Sequence, residues 1–224
     1  MQGKVVIAGV GNTPYGKHPG RDKIDLIVEA AREAIGDAGI AKDEIDGVFV
    51  KIANASLDQG GAANVGLMTY AALAIEAGII RNALICYGDT ARTGSHAVYH
   101  RPRGDDAIMG WYSTAAGYAM IHQAYCQRYA ARDEYFGAVA VAARDHGARN
   151  PKAQLRKPLT LDAYLAGPHV IAPMRRDDMC LLSDGGAAIL LTGAGEAKRR
   201  GNARAVPILG VGQAQESWEV HLRP

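Results

Sequence analysis

The chain has 224 residues, of which 48% are hydrophobic and 21% charged, and its formal net charge is +2. This is the balance of a globular protein large enough to bury a core, and so small a net charge gives no support to a nucleic-acid or anionic-membrane partner. No apolar run reaches the roughly 18 residues that a membrane-spanning helix needs, so no span is predicted.

The first elements follow in quick succession. The apolar run "KVVIAGV" (4–10) ends in glycine and predicts a buried strand. A helix follows, with Asp22 as its N-cap and Gly36 or Gly39 as its stop. Its predicted core-facing residues, at helical spacing, are Ile24, Ile27, Val28, Ala31 and Ile35.

Two further strands enclose a second helix. "GVFV" (47–50) and "ALICY" (83–87) read as buried strands. Between them a helix ends at Gly78 and carries the apolar positions Val65, Met68, Ala72 and Ile75. This alternation predicts an α/β fold with a largely parallel sheet and helices on both faces.

A helical excursion then interrupts the sheet. Residues 89–112 form a polar, turn-rich stretch, and loops of this length are usually functional or mobile. Helices are predicted near 114–131 and 133–148, the second with Asp133 as N-cap. Residues 150–178 show little periodicity and several prolines.

Alternation returns near the C-terminal end of the sequence. A strand is predicted over 186–192, then a short helix to about Arg200, then a strand over 205–212. In "LSDGGAAILL", Ser183 and Asp184 are expected to form a local side-chain-to-backbone turn at the start of a buried strand.

Dinucleotide-binding and metal chemistry find little support. "GVGNTPYG" (9–16) has Pro14 where the pattern GxGxxG needs glycine, which favours a structural turn. His96 and His100 share a loop with acidic residues, but without ligand spacing, so no metal site is predicted. His122 and Cys126 lie four apart and are expected to pack on one helix face.

The three cysteines, Cys86, Cys126 and Cys180, are odd in number and form no CxxC pair. They favour reduced thiols, a cytoplasmic location and no structural zinc. Cys86 is expected in the core and Cys180 beneath a turn, with a nucleophilic role for either less favoured.

The ordered segments resemble the thiolase superfamily, in the branch of sterol-carrier-protein thiolases and lipid-transfer proteins, over nearly the whole chain. The resemblance implies the N-terminal half of a thiolase-like layered fold with a helical loop-domain insertion. The segments that carry it are "VVIAGVGNTPYG", "AAREAIGDAGIAKDEIDGV", "AALAIEAGIIRNALICYGDTARTG", "FGAVAVAARDHGARNPKA", "MRRDDMCLLSDGGAAILLT" and "VPILGVGQA". The expected domains are 1–88 and 179–204 for the N-terminal domain, 89–178 for the loop domain and 205–224 for an incomplete C-terminal half.

Gly61 is the residue that directs the functional interpretation. Family members with Claisen chemistry place a cysteine at a helix N-terminus, in a pattern like Cys-x-Ser-Gly, because the helix lowers the pKa of the thiol. Here Gly61-Ala62-Ala63-Asn64 stands in that place. The sequence therefore resembles a cysteine-less subgroup, aldolases of steroid side chains. The glycine either leaves room for substrate or permits tight packing.

The resemblance implies retro-aldol cleavage of a β-hydroxyacyl-CoA in steroid degradation, with the CoA thioester as substrate and no other cofactor. A base would take the hydroxyl proton and hydrogen-bond donors would stabilise the enolate. One alternative is a non-catalytic acyl-CoA- or lipid-binding protein. A weaker one is an acetyl-CoA acyltransferase that uses another residue, such as Cys86.

Candidate substrate-binding residues lie in the excursion. Arg92, Arg101 and Arg103 could contact CoA phosphates, although a solvated loop is the simpler explanation for each. Trp111 and Tyr118, with Tyr99 and Tyr112, could wall an acyl or adenine pocket, or equally a dimer interface or core.

The resemblance also implies a thiolase-type homodimer and a small partner protein with a zinc ribbon and an OB fold that binds acyl-CoA. Two departures stand out. The stretch from Val50 to Gly60 is about 20 residues shorter than in relatives, the size of one crossover unit, with an apparent join at Ser56–Leu57. The second half of the fold, which would bring further catalytic residues, does not follow Pro224. We therefore expect a longer protein, and no catalytic base is assigned.

Overall fold

The computed structural model describes residues 2–50, 60–94, 108 and 113–214. The chain divides into two compact units: unit 1 comprises Met1–Thr90 with Asp184–Gln213, and unit 2 comprises Ala91–Ser183 with Ala214–Pro224. The assignment of these units to a thiolase domain and a loop domain stays a prediction.

The described residues form seven strands and six α-helices. The strands are β1 (Val5–Asn12), β2 (Gly47–Val50), β3 (Asn82–Thr90), β4 (His169–Ile171), β5 (Met174–Arg175), β6 (Asp184–Gly193) and β7 (Val206–Pro207). The helices are α1 (Lys23–Ala38), α2 (Ala63–Glu76), α3 (Thr114–Tyr129), α4 (Asp133–Arg149), α5 (Leu161–Leu165) and α6 (Ala194–Arg199).

Unit 1 is built on a five-stranded sheet with the order β2-β3-β6-β1-β7. Only β2 and β3 pair in parallel; β6 is antiparallel to both β1 and β3, and β7 is antiparallel to β1. The prediction of a largely parallel sheet is therefore wrong. Alternation fixes direction only for strands joined by one crossover, and β6 returns to the sheet after the whole of unit 2.

Helix α1 begins and ends where the sequence predicts. The Asp22 side chain accepts hydrogen bonds from the backbone N–H groups of Ile24 and Asp25, and Gly39 ends the helix in the left-handed conformation at φ 63°. The predicted core face is partly wrong. Ile24 and Val28 are exposed, and the buried residues of α1 are Leu26, Ala30, Ala34 and Ala38.

Glycines in the sheet explain this face. A Cβ added to Gly11 would lie 2.2 Å from the carbonyl oxygen of Ala30, and one added to Gly9 would lie 2.3 Å from that of Ala34. Gly186 on β6 meets the carbonyl oxygen of Leu26 in the same way, at 2.4 Å, whereas a Cβ added to Gly88 on β3 would lie 2.7 Å from the side chain of Ile27. These four glycines, the glycine strip, let α1 lie directly on three strands, and the small residues Ala30 and Ala34 face Gly11 and Gly9. Gly9 and Gly11 of "GVGNTPYG" thus pack within β1 and do not form the predicted turn, whereas Gly16 lies beyond the end of the strand.

Helix α2 covers the opposite face of the sheet, where Leu67, Ala71 and Ala72 pack in a cluster with Ile85 and Leu191. Val65, predicted to face the core, is 66% exposed. At the other end of unit 1, β7 is much shorter than the predicted strand over 205–212. Proline within that stretch cannot donate to a ladder and its glycines weaken a strand, which accounts for the difference.

Unit 2 has its own polar centre. The Tyr164 hydroxyl, on α5, donates to Oδ1 of Asp178 at 2.7 Å, and Oδ2 of Asp178 accepts from the backbone N–H of Arg175 at 2.6 Å. The Arg175 guanidinium pairs with Asp133 at 2.8 Å. The N-cap of α4 is Arg132, not the predicted Asp133, whose carboxylate is engaged by this ion pair. The stretch 150–178, which lacks periodicity, holds α5 and the short β4–β5 hairpin.

No helix in the described part of the chain is long and apolar enough to cross a membrane. Nor do the described residues bring together three or more histidine, cysteine, aspartate or glutamate side chains that could hold a metal ion.

Candidate functional site

The N-terminus of α2 has no side-chain cap among the described residues. A short 3-10 turn, Gly60–Ala62, leads into the helix, and its N-cap residue, Ala62, provides no side-chain hydrogen bond. The first turn carries no acidic residue, and the buried Oδ1 of Asn64 has no hydrogen-bond partner among the described residues. Uncapped amides and the helix dipole make such a terminus favourable for negative charge.

Gly61 lies in this turn and is exposed. A Cβ added there would meet no described atom within 4 Å, and the residue does not have the positive φ that favours glycine. Among the described residues, neither packing nor backbone conformation requires glycine at this position. Whether the glycine leaves room for substrate or permits tight packing against other residues stays a prediction.

Cys86 is not placed to replace the missing nucleophile. It lies on β3 with 3% of its surface exposed, in the core between the sheet and α1. Burial raises the pKa of its thiol to about 11. Because the thiolate is the reactive form, the geometry opposes an acyltransferase that uses Cys86.

The other predicted site residues divide into two groups. Arg92 is exposed in the turn after β3, and Tyr118 is half-exposed on α3; both belong to unit 2. The remaining ones lie outside the described residues, so their placement stays a prediction. They are Arg101, Arg103, Trp111, Tyr99, Tyr112, His96 and His100.

The strand start near Ser183 differs from the prediction. Asp184 is fully buried, and its Oδ2 accepts from the backbone N–H of His18 at 2.9 Å, a contact across 166 residues of sequence. The Ser183 hydroxyl instead donates to Oε1 of Gln154 at 2.6 Å. Both bonds are long-range, so no local turn signal could predict them.

Unit 2 contains a groove that sequence reasoning missed. It has a volume of about 570 Å³ and lies between α3 and α4, with Asp177, Asp178 and Cys180 among its lining residues. His122 lines it and packs on Phe136 with 3.8 Å between ring centroids, which agrees with its predicted packing role. Cys180 is exposed, not buried beneath a turn, because the first buried residue of this segment is Asp184, at the start of β6.

Three curated relatives are similar to this chain. The steroid side-chain-cleaving aldolase of Thermomonospora curvata is 30% identical, over 88% of this chain and 59% of the relative. The 17-hydroxy-3-oxo-4-pregnene-20-carboxyl-CoA lyase of Mycobacterium tuberculosis is 29% identical, over 88% and 60%. The acetyl-CoA acetyltransferase of Methanothermobacter thermautotrophicus is 25% identical, over 87% and 58%. No family model matches the chain.

Solved structures agree on the fold. The Ltp2-ChsH2(DUF35) aldolase has a TM-score of 0.76 at 30% identity, over 88% of this chain and 57% of that one. A monomeric SCP2-thiolase-like protein from Mycobacterium smegmatis has a TM-score of 0.66 at 21% identity, over 92% and 48%. The predicted thiolase-like layered fold is confirmed.

The chain thus spans about three fifths of the length of the curated relatives it matches. The alignment with the Thermomonospora curvata relative covers 231 residues, which exceeds the 224 of this chain. That relative therefore has residues inside the aligned stretch that this chain lacks. This agrees with the predicted internal shortening, whose position stays a prediction.

Proposed function

We propose that this chain, a member of the thiolase superfamily in the branch of sterol-carrier-protein thiolases and lipid-transfer proteins, supplies the α2 half of an acyl-CoA lyase site. The proposed reaction is retro-aldol cleavage of a β-hydroxyacyl-CoA with a bulky, steroid-like acyl group. Support comes from the names of two relatives of about 30% identity, a steroid side-chain-cleaving aldolase and a pregnene-carboxyl-CoA lyase.

The observation that carries the proposal is the open N-terminus of α2 at Gly61. In a retro-aldol reaction a base removes the proton of the β-hydroxyl group, the bond between the α- and β-carbons breaks, and its electron pair moves into the thioester. The products are a ketone or aldehyde and the enolate of a shorter acyl-CoA, which is then protonated. Uncapped amides at a helix N-terminus stabilise such an enolate, and no bond to the protein is formed, so a cysteine at position 61 is not needed.

Partners form a further part of the proposal. A solved neighbour carries two components in its name, Ltp2 and ChsH2(DUF35). We therefore expect this chain to act with a second protein of that kind, and as a homodimer of the thiolase type. Arg92, Arg101 and Arg103 remain the proposed contacts for CoA phosphates.

A non-catalytic acyl-CoA-binding protein is the second candidate, because an open helix terminus without a nucleophile is also compatible with binding alone. The acyltransferase alternative has a relative of 25% identity behind it. The glycine at position 61 and the buried, protonated thiol of Cys86 both argue against it.

The test is an assay of the intact protein with a candidate partner on a steroid β-hydroxyacyl-CoA, with ketone and shortened acyl-CoA measured by mass spectrometry. Release of both products in equal amounts is expected. Saturable binding of the thioester with no product would favour the binding protein instead, and acyl transfer to free CoA would favour the acyltransferase.

A pair of variants ties the activity to the open position. Gly61→Leu should lower cleavage at least tenfold, an effect of about 1.4 kcal/mol, without loss of stability, since no described atom lies within 4 Å of an added Cβ. Gly195→Leu is the matched control, because Gly195 on α6 is equally open. Equal activity of both variants would remove Gly61 from the site.

A further inference from the structure

The groove between α3 and α4, within unit 2, has the construction of a ligand site. Its volume of about 570 Å³ lies within the range of roughly 300–1,000 Å³ that small-molecule sites occupy. Its walls are almost wholly apolar or aromatic. They are formed by Tyr118, Ile121, His122 and Tyr125 of α3, by Phe136, Val139, Ala140 and Ala143 of α4, and by Met174 and Met179.

The aromatic walls are ordered by mutual contact. Phe136 lies against the His122 ring at 3.8 Å and meets the Tyr125 ring edge-on at 6.1 Å between centroids. On the outer side, Tyr118 and Tyr125 are each 50% exposed and Val139 is 71% exposed. Rigid rings with free apolar area bind flat ring systems well, because little side-chain freedom is lost on binding.

The charges of the groove select an uncharged occupant. Its two carboxylates are already engaged: Oδ1 of Asp177 accepts from Arg144 at 2.7 Å, and Asp178 accepts from the Tyr164 hydroxyl and the Arg175 backbone. No lysine or arginine is among the described residues that line the groove. Arg144 and Arg176 lie beside Asp177 and are paired with it, so the described lining offers a phosphate or carboxylate no unpaired cation, and the groove favours an uncharged ligand.

One polar atom of the lining lacks a partner. Nε2 of His122 is buried and makes no hydrogen bond within the described residues. A buried ring nitrogen without a partner destabilises the protein, and a ligand hydroxyl or carbonyl group that reached it would supply the missing hydrogen bond. The occupant that suits all these features is an apolar ring system with few oxygens and no charge.

We propose that this groove binds a neutral, fused-ring lipid of steroid type that carries no CoA. The preference for an uncharged ring follows from the groove, whereas the choice of a steroid rests on the proposed function. The lining of the groove includes no residue of α2, so binding here is expected even in a protein that lacks lyase activity.

The experiment is titration of the full chain with androst-4-ene-3,17-dione, followed by tyrosine and tryptophan fluorescence and by calorimetry. The matched anion is 3-oxo-4-androstene-17β-carboxylate, which should bind at least tenfold more weakly. Equal affinity for both probes, or no saturable binding of the neutral one, would overturn the proposal.

Three variants locate the site. Val139→Glu should weaken binding of the neutral steroid at least tenfold, and it should fold because Val139 is exposed. Val170→Glu, a change at an exposed valine of the same unit outside the groove, and Gly61→Leu should each leave the affinity within twofold. A loss in Gly61→Leu with none in Val139→Glu would assign binding to the α2 terminus and overturn the proposal.

Sedimentation of the same proteins separates the remaining possibility. If Val139→Glu changes the oligomeric state and no steroid binds to the unaltered chain, the groove is a protein interface and the proposal fails. Lyase activity is measured in parallel: its absence with intact steroid binding would remove the proposed function and leave the groove in place.

Discussion

The two helices that cover the sheet of unit 1 differ in their capping and in the polarity of their outer surfaces. Helix α1 is capped at both ends, presents charged residues on its outer side and rests its backbone on the glycine strip. Helix α2, on the other face, has no side-chain cap and one charged residue, Glu76, and it leaves Val65 and Leu73 exposed. The side of the sheet under α1 is a well-covered core, whereas the outer surface of α2 leaves apolar side chains exposed.

A helix that is apolar all round is normally covered on more than one side. We therefore expect the outer side of α2 to be covered by further protein in the functional assembly. The uncapped terminus and a largely apolar outer side occur on the same helix, whereas α1 is capped and mixes charged residues with the exposed Ile24 and Val28. The proposed site thus lies on the face where local stability has not been maximised, as is common for active sites.

The largest expected effect on stability comes from disturbing the contact between α1 and the sheet. Gly11→Ala would bring a Cβ to 2.2 Å from the carbonyl oxygen of Ala30, so α1 must move off the sheet. We expect a loss of about 3 kcal/mol in the free energy of unfolding, measured by urea denaturation. Gly195→Ala, at an open position in α6, should instead gain up to about 1 kcal/mol. A Gly11→Ala protein as stable as the original chain would contradict the backbone contact.

The reactivity of the Cys86 thiol reports whether the core between α1 and the sheet excludes solvent. Burial raises its pKa from 9.0 to about 11, so at pH 8 the thiolate is about a hundredfold scarcer than for an ordinary thiol. Iodoacetamide should leave Cys86 unlabelled in the native protein and label it in urea, as followed by peptide mass spectrometry. Cys180, which is exposed, is the internal control.

The raised pKa of Cys86 also makes the stability of the fold depend on pH. Because the folded pKa of Cys86 lies above the unfolded value, the stability it contributes is complete below about pH 9 and is lost as pH rises toward 11. A Cys86→Ala variant should lose stability less steeply over that interval. An identical slope for both proteins would mean that the thiol is not buried as described.

A smaller loss is expected at the cap of α1. Asp22→Ala removes the acceptor for two backbone N–H groups and should cost about 1 kcal/mol. Asp22→Ser, which keeps an acceptor, should recover most of it. If both variants unfold at the same urea concentration as the original chain, the cap contributes nothing.

The smallest effect should be a gain in stability at the N-terminus of α2. Ala62→Asp supplies the cap that α2 lacks and should stabilise the chain by about 0.5 kcal/mol. Its carboxylate would then occupy the place proposed for the enolate, so cleavage should fall. Ala62→Ser, which caps without charge, should keep more activity; the reverse order would argue against an anion at this terminus.

Local signals were sufficient for part of this structure. The cap at Asp22, the stop at Gly39 and the strand in "KVVIAGV" are encoded within a few residues, and each is confirmed. The thiolase-like fold followed from the order of such segments. Gly61 was identified by resemblance alone, since nothing local distinguishes it.

Other features depend on distant parts of the chain. The direction of β6 depends on a connection that spans unit 2, so alternation could not predict it. On α1, Ile27, Ala31 and Ile35 pack against the core as predicted, whereas Ile24 and Val28 were misassigned. Hydrophobicity ranks isoleucine and valine above alanine, but the contacts with Gly9 and Gly11 require the small residues Ala34 and Ala30. The groove is formed by α3, α4 and residues 174–180, three segments whose meeting leaves no mark in any one of them.

The central position of β6 in the sheet also determines when the sheet can assemble during synthesis. β1 and β3 are complete on the growing chain roughly 90 residues before β6, which must enter between them. At about 5–20 residues per second, their inner edges wait for some 5–20 s without their partner. During that interval both strands are open to pairing with other chains. The risk of aggregation through these strand edges is therefore highest while the chain is still on the ribosome, before β6 pairs with β1 and β3.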